Sequence, residues 1–114
     1  MSDPETLRNY LKLVAKGGRT VTYRDTARAL KLEPPNTIHR VAEMLETLLE
    51  DDVAAGRPLI ASLVVSRQRN NMPAPGFFAK LHDLGVYEGP ETGDMARQYH
   101  QQQLQLAIDY WGQE

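Results

Sequence analysis

The residue types that carry most enzyme chemistry are few in this sequence and poorly spaced for it. His39, His82 and His100 stand far apart, and none has a second histidine four residues on, the spacing that lets one helical face hold zinc. Each reads as a surface or boundary residue. Cysteine is absent, which removes disulfides, thiolate nucleophiles and sulfur-bound zinc or iron together. Ser62 and Ser66 lack the flanking glycines and strained turn that present a nucleophilic serine. Gly17-Gly18 and Pro75-Gly76 do not have the spacing of a phosphate-cradling loop. Glu50-Asp51-Asp52 is the densest carboxylate group and suits a hard divalent ion, but without a supporting partner it reads as a solvated acidic turn. These residues predict no catalytic centre, no cofactor and no metal.

What remains is electrostatic. The formal net charge of −2 hides an alternation along the chain. Residues 1–40 carry eight Lys/Arg against four Asp/Glu, and residues 41–54 carry five acids and no base. Residues 55–80 then hold four bases and no acid, and residues 81–114 hold six acids and one base. Folding that joins the two basic blocks would give an acidic protein one basic face, the usual footprint for a polyanion. The competing explanation is clustering by chance on solvated helices.

The frame for such a face is a single domain, 1–114. Of its 114 residues 41% are hydrophobic and 25% charged, enough for one core without metal or disulfide. No apolar run approaches the roughly 20 residues that span a bilayer. Met1-Ser2-Asp3-Pro4-Glu5 is acidic and polar, unlike a secretion signal. The expectation is a cytoplasmic protein outside the membrane.

Periodicity and breakers place the elements. Ser2 as cap, Pro4 in the first turn and Glu5 open a helix whose apolar face is Leu7, Tyr10, Leu11, Val14 and Ala15; Gly17-Gly18 stops it. Arg19-Thr20-Val21 is a strand stub. Thr22 caps a short helix through Tyr23, Ala27 and Leu30, and Glu33-Pro34-Pro35 interrupts it. Asn36 caps the next helix, with Ile38, Val41, Ala42, Leu45, Leu48 and Leu49 as its buried stripe. The apolar run 59–65 suits a buried strand, and Arg67 to Pro75 is a basic, turn-rich loop. Phe77, Phe78, Leu81 and Leu84 mark a short helix ended by Gly85, and a last helix spans roughly 91–111. On that helix Met95, Tyr99, Leu106 and Tyr110 form one apolar side, with Leu104, Ala107, Ile108 and Trp111 beside it.

This order predicts a mainly α fold with a small β component: a winged helix-turn-helix over residues 1–80, extended by a C-terminal helical segment over 81–114. In that fold residues 36–50 are the recognition helix, and its first exposed positions, Thr37, His39, Arg40 and Glu43, meet base edges. Arg67, Arg69, Asn70 and Asn71 form the wing of about 67–75, which touches phosphate or the minor groove. Asn36 and the amides of the helix start can hold a further phosphate. The acids Glu43, Glu46, Glu50, Asp51 and Asp52 oppose this, unless the helix enters the groove tip first.

Gly18-Arg19-Thr20-Val21-Thr22-Tyr23, followed by Ala27 and Leu30, resembles the opening of the DNA-binding domain in alkylguanine-DNA alkyltransferases and alkyltransferase-like proteins. The resemblance covers residues 17–45. It implies a winged helix-turn-helix gripping DNA, with Arg40 the one position that can match the family's recognition-helix arginine. The family's Pro-Cys-His-Arg stretch has no counterpart at residues 58–66, so alkyl transfer is not implied. A second stretch, Pro58 to Ser66 and Pro73 to Phe78, is similar to segments of bacterial proteins and implies no activity.

The functional expectation is therefore a non-enzymatic, regulatory or accessory protein that binds duplex DNA. The alternative is an interaction module of the same fold that binds protein through Phe77, Tyr110 and Trp111, since large aromatics are enriched in interface cores. The broad apolar side of the last helix also predicts a homodimer.

Overall fold

The computed structural model describes residues 3–113. Helix α1 (Pro4–Lys16) is capped by Asp3, whose carboxylate accepts the Thr6 N–H at 2.8 Å. Ser2, the expected cap, lies outside the described residues. Leu7, Leu11 and Val14 are fully buried along one face. The chain then leaves through Gly18 at φ 66°, a conformation that costs glycine little.

Strand β1 (Val21–Thr22) feeds directly into α2 (Tyr23–Ala29), where the Thr22 hydroxyl accepts the Asp25 N–H at 3.0 Å. Helix α3 (Thr37–Ala55) comes after the proline turn and runs past residue 50 to end at Gly56, φ 69°. Two expectations at its start do not hold. Asn36 occupies the cap position in the left-handed conformation and makes no capping bond with its side chain. Ile38, placed in the buried stripe, is 46% exposed, because it faces an open concavity beside α2. The acidic turn expected at residues 50–52 is helix instead, and Asp52 is 0% exposed.

The apolar run 59–65 is not a continuous strand. Ile60–Leu63 form a 3₁₀ turn, and only Val64–Val65 pair as strand β2, parallel to β1 with Val21 opposite Val64 and Thr22 opposite Val65. Ladder length is limited by β1, and Asp52 captures the Ile60 N–H at 3.1 Å, curling the chain before it extends. A second 3₁₀ turn, Arg67–Arg69, and a bridge between Ser66 and Met72 make the basic loop a compact reversal.

Helix α4 (Pro75–Asp83) buries both Phe77 and Phe78, their rings edge to face at 5.1 Å. Phe77 is therefore a core residue and not a partner anchor. Helix α5 (Gly93–Trp111) starts two residues later than expected and turns Ala96, His100, Ala107 and Trp111 inward. Trp111 is 6% exposed, and its indole N–H donates to the Pro58 carbonyl at 2.9 Å. It lies against the Arg8 and Arg57 guanidiniums, at 4.9 and 5.4 Å, which removes it from any partner surface. A mainly helical protein with one small parallel sheet results, and residues of α1 to α5 share one hydrophobic cluster.

Candidate nucleic-acid interface

The parallel pairing of β1 and β2 decides which segments become neighbours. Parallel strands end at the same edge, so the segments they lead into emerge side by side. Strand β1 leads into α2, and β2 leads into the turn 66–69. Helix α2 turns Tyr23, Thr26 and Ala27 inward, which leaves Arg24 and Arg28 outward and one helical turn apart. Arg67 opens the turn after β2.

Between these segments and the start of α3 lies an open groove of about 640 Å³. Arg24, Asp25 and Arg28 line it from α2, Ile38 and Ala42 from α3, and Ser66, Arg67 and Gln68 from the turn. Tyr23, Val65 and Ala74 also line it. The Tyr23 hydroxyl accepts the Ala74 N–H at 2.9 Å, fixing the ring, and burial pushes its phenol pKa up. A narrow apolar crevice of about 60 Å³ shares Tyr23, Ala42 and Ala74 with the groove and reaches Leu45, Leu49 and Phe77.

The groove's charge is unbalanced, with three arginines against one aspartate. Among the described residues, none of the three arginine side chains makes an ion pair or hydrogen bond. Cations that are exposed and uncommitted can meet an anion without first breaking a native bond. The lining therefore offers both cationic and aliphatic surface, with no histidine among its residues. No group of three or more metal-ligating side chains occurs among the described residues.

The expected site residues are divided by this geometry. Arg67 lines the groove; Arg69 is half-buried, its Nε donating to the Pro73 carbonyl at 3.3 Å. Asn70 and Asn71, at φ 58° and 61°, are exposed and shape the reversal. Asn36, Thr37, His39 and Arg40 sit at the tip of α3 outside the lining. Arg40 folds back so that Nη1 donates to the Glu33 carbonyl at 3.3 Å, and His39 lies 3.7 Å from Glu43. Sequence reasoning does not single out Arg24 and Arg28, although their i, i+4 spacing opposite Tyr23 and Ala27 is a usable signal.

Two other polar residues belong to the interior. Asp52 accepts hydrogen bonds from Arg8 at 2.9 Å and from the Ile60 N–H and forms an ion pair with Arg57 at 3.1 Å, so Arg57 is withdrawn from the basic face. Burial pushes the Asp52 carboxyl up, against the pull of these partners. His100, expected near the surface, is buried with Nε2 2.9 Å from the Ser62 carbonyl, and burial pulls its pKa down. Its place on the inward face of α5, between Ala96 and Ala107, decides this.

No protein-family model, curated protein or solved structure matches the chain. Among the described residues, no helix is long and apolar enough to cross a membrane.

Proposed function

We propose that this is a non-enzymatic nucleic-acid-binding protein, regulatory or accessory in role, built as a winged helix-turn-helix variant. The convergence of Arg24, Arg28 and Arg67 on one groove carries the reading. These residues come from the two basic blocks of the sequence, and the acids of α3 stay off the groove apart from its apolar crevice, where Glu46 contributes. Phosphate contacts made by such arginines fix register and contribute most of the salt-dependent affinity. In this reading α2 and the turn after β2 carry the backbone contacts, and the tip of α3 lies beside them.

The test is fluorescence anisotropy with labelled oligonucleotides across a salt series. Replacing Arg24, Arg28 and Arg67 together by Ala should weaken binding and flatten its salt dependence by about one unit per lost contact. A triple variant that folds normally and binds as well as the parent overturns the proposal.

A second reading is favoured by a separate observation. On α5, Met95, Leu106 and Tyr110 are 58%, 46% and 50% exposed. Apolar surface of that kind suits a protein contact, and a second copy of the chain is its proposed occupant.

A further inference from the structure

We infer that the groove receives a single strand of nucleic acid in preference to a duplex, an inference that rests on the nucleic-acid reading above. A duplex reader lays a helix along a groove of the nucleic acid, and α3 is badly suited to that. Along its exposed length it carries Glu43, Glu50 and Asp51, with Glu46 half-buried between them. Its one exposed cation in the first turns, Arg40, is turned back onto Glu33. Phosphates flanking α3 in a major groove would meet carboxylates on most of its turns.

The concave surface has the opposite character. Arginines come from two segments, Arg24 and Arg28 from α2 and Arg67 from the turn after β2, and Ile38 and Ala42 of α3 add aliphatic surface to the same groove. Ile38 is the clearest case, because an isoleucine 46% exposed at the mouth of a basic groove does nothing for a phosphate. It does suit the flat apolar face of an unpaired base, which a duplex keeps hidden in its stack. A strand lying in the groove sets its phosphates against the arginines and packs base faces on Ile38, Ala42 and the guanidinium planes. The buried Tyr23 ring, its hydroxyl held by Ala74, is the fixed floor and not a mobile stacking platform.

Phosphate and base face are common to DNA and RNA, so both are probed. Anisotropy titrations use a labelled mixed-sequence oligodeoxynucleotide of about 12 nucleotides, the same strand annealed to its complement, and the matching oligoribonucleotide. The expected result is at least about tenfold tighter binding of a single strand than of the duplex, the effect of burying about two methylene-sized units of apolar surface on base faces. The more tightly bound single strand names the polymer. Three phosphate contacts predict a log–log salt slope near about −2 for the single strand. Ile38→Ala, at an exposed position, should lose about three- to tenfold in single-strand affinity and leave that slope unchanged, since it removes about one or two methylenes of packing and no charge. Arg67→Ala should reduce the slope by about 0.7. Duplex binding as tight as either single strand overturns this inference and leaves the nucleic-acid reading standing. So does an Ile38→Ala variant that loses nothing. Failure of all three probes to bind overturns both.

Discussion

At the scale of single residues, the buried His100 and Asp52 are where pH and charge act on this fold. His100 is held neutral by burial, its pKa below the ordinary value of 6.5, so the unfolded chain binds the proton first as pH falls. Stability is then undiminished above about pH 6.5 and is lost as pH drops toward the lowered folded value. Urea unfolding of the parent should show this loss between neutral and mildly acidic pH, and His100→Gln should show a flatter profile. Equal pH dependence in the two would remove His100 as the cause. Asp52 presents the opposite problem, because it neutralises guanidiniums that have few alternatives. Arg8 Nη2 and Arg57 Nε are buried without a hydrogen-bond partner among the described residues. Asp52→Asn would leave the two cations beside a neutral amide and should cost about 3–5 kcal/mol in the same assay. A loss under about 1 kcal/mol would mean the cluster is better solvated than its geometry implies.

Between elements, the decisive contact is the docking of α5 on α1. The end of α5 reaches the end of α1 so closely that a Cβ on Gly112 would lie 2.8 Å from the Ala15 carbonyl oxygen, in addition to 2.5 Å from that of Ile108 within α5. Both obstacles are backbone, so neither can swing aside as a side chain would. Gly112→Ala should therefore push the helices apart and loosen Trp111 from Pro58, at a cost of about 1–3 kcal/mol. Thermal unfolding and Trp111 fluorescence read the two effects together; an unchanged melting temperature with unchanged emission would show that the helices are not so tightly joined. The turn after β2 shows why local signals misplace a wing. Asn70-Asn71 correctly marks a reversal, but the reversal closes at the Ser66–Met72 bridge and carries Arg67 toward α2 while holding Arg69 against Pro73.

For the whole molecule, the basic groove and the exposed apolar side of α5 fall on different parts of the structure. The basic groove is made by α2, α3 and the turn after β2 and includes the exposed Ile38, whereas three further exposed apolar residues, Met95, Leu106 and Tyr110, are on α5. Association through α5 would leave the groove's lining residues untouched. Sedimentation equilibrium at high micromolar concentration should give a dimer, and Leu106→Ser/Tyr110→Ser should give a monomer with intact oligonucleotide binding. Both substituted residues are about half exposed, so the variant should fold. A parent protein that stays monomeric at that concentration would exclude the dimer.

What the sequence determined by itself was mostly what one or two helical turns can decide. Pro4 and Gly17-Gly18 bound α1 and Thr22 opens α2 because capping bonds and left-handed turns act between near neighbours. Helix α2, by contrast, stops at Ala29 before the left-handed Lys31 and does not reach the proline pair. The inward faces of α1 and most of α3 were likewise readable from spacing, with Leu45 and Leu48 buried as their period requires. Tertiary structure alone decided the rest. Leu59 to Val65 is apolar enough for a strand, but a carboxylate eight residues upstream curls its start into a 3₁₀ turn. Two apolar sides of α5 competed for the core, and the one with two alanines, a histidine and Trp111 won because those residues fit against α1 and the 60–63 turn. Arg24 and Arg67 are far apart in sequence and meet because two short strands pair in parallel. That pairing depends on non-local hydrogen bonds and packing, which no periodicity along the chain encodes.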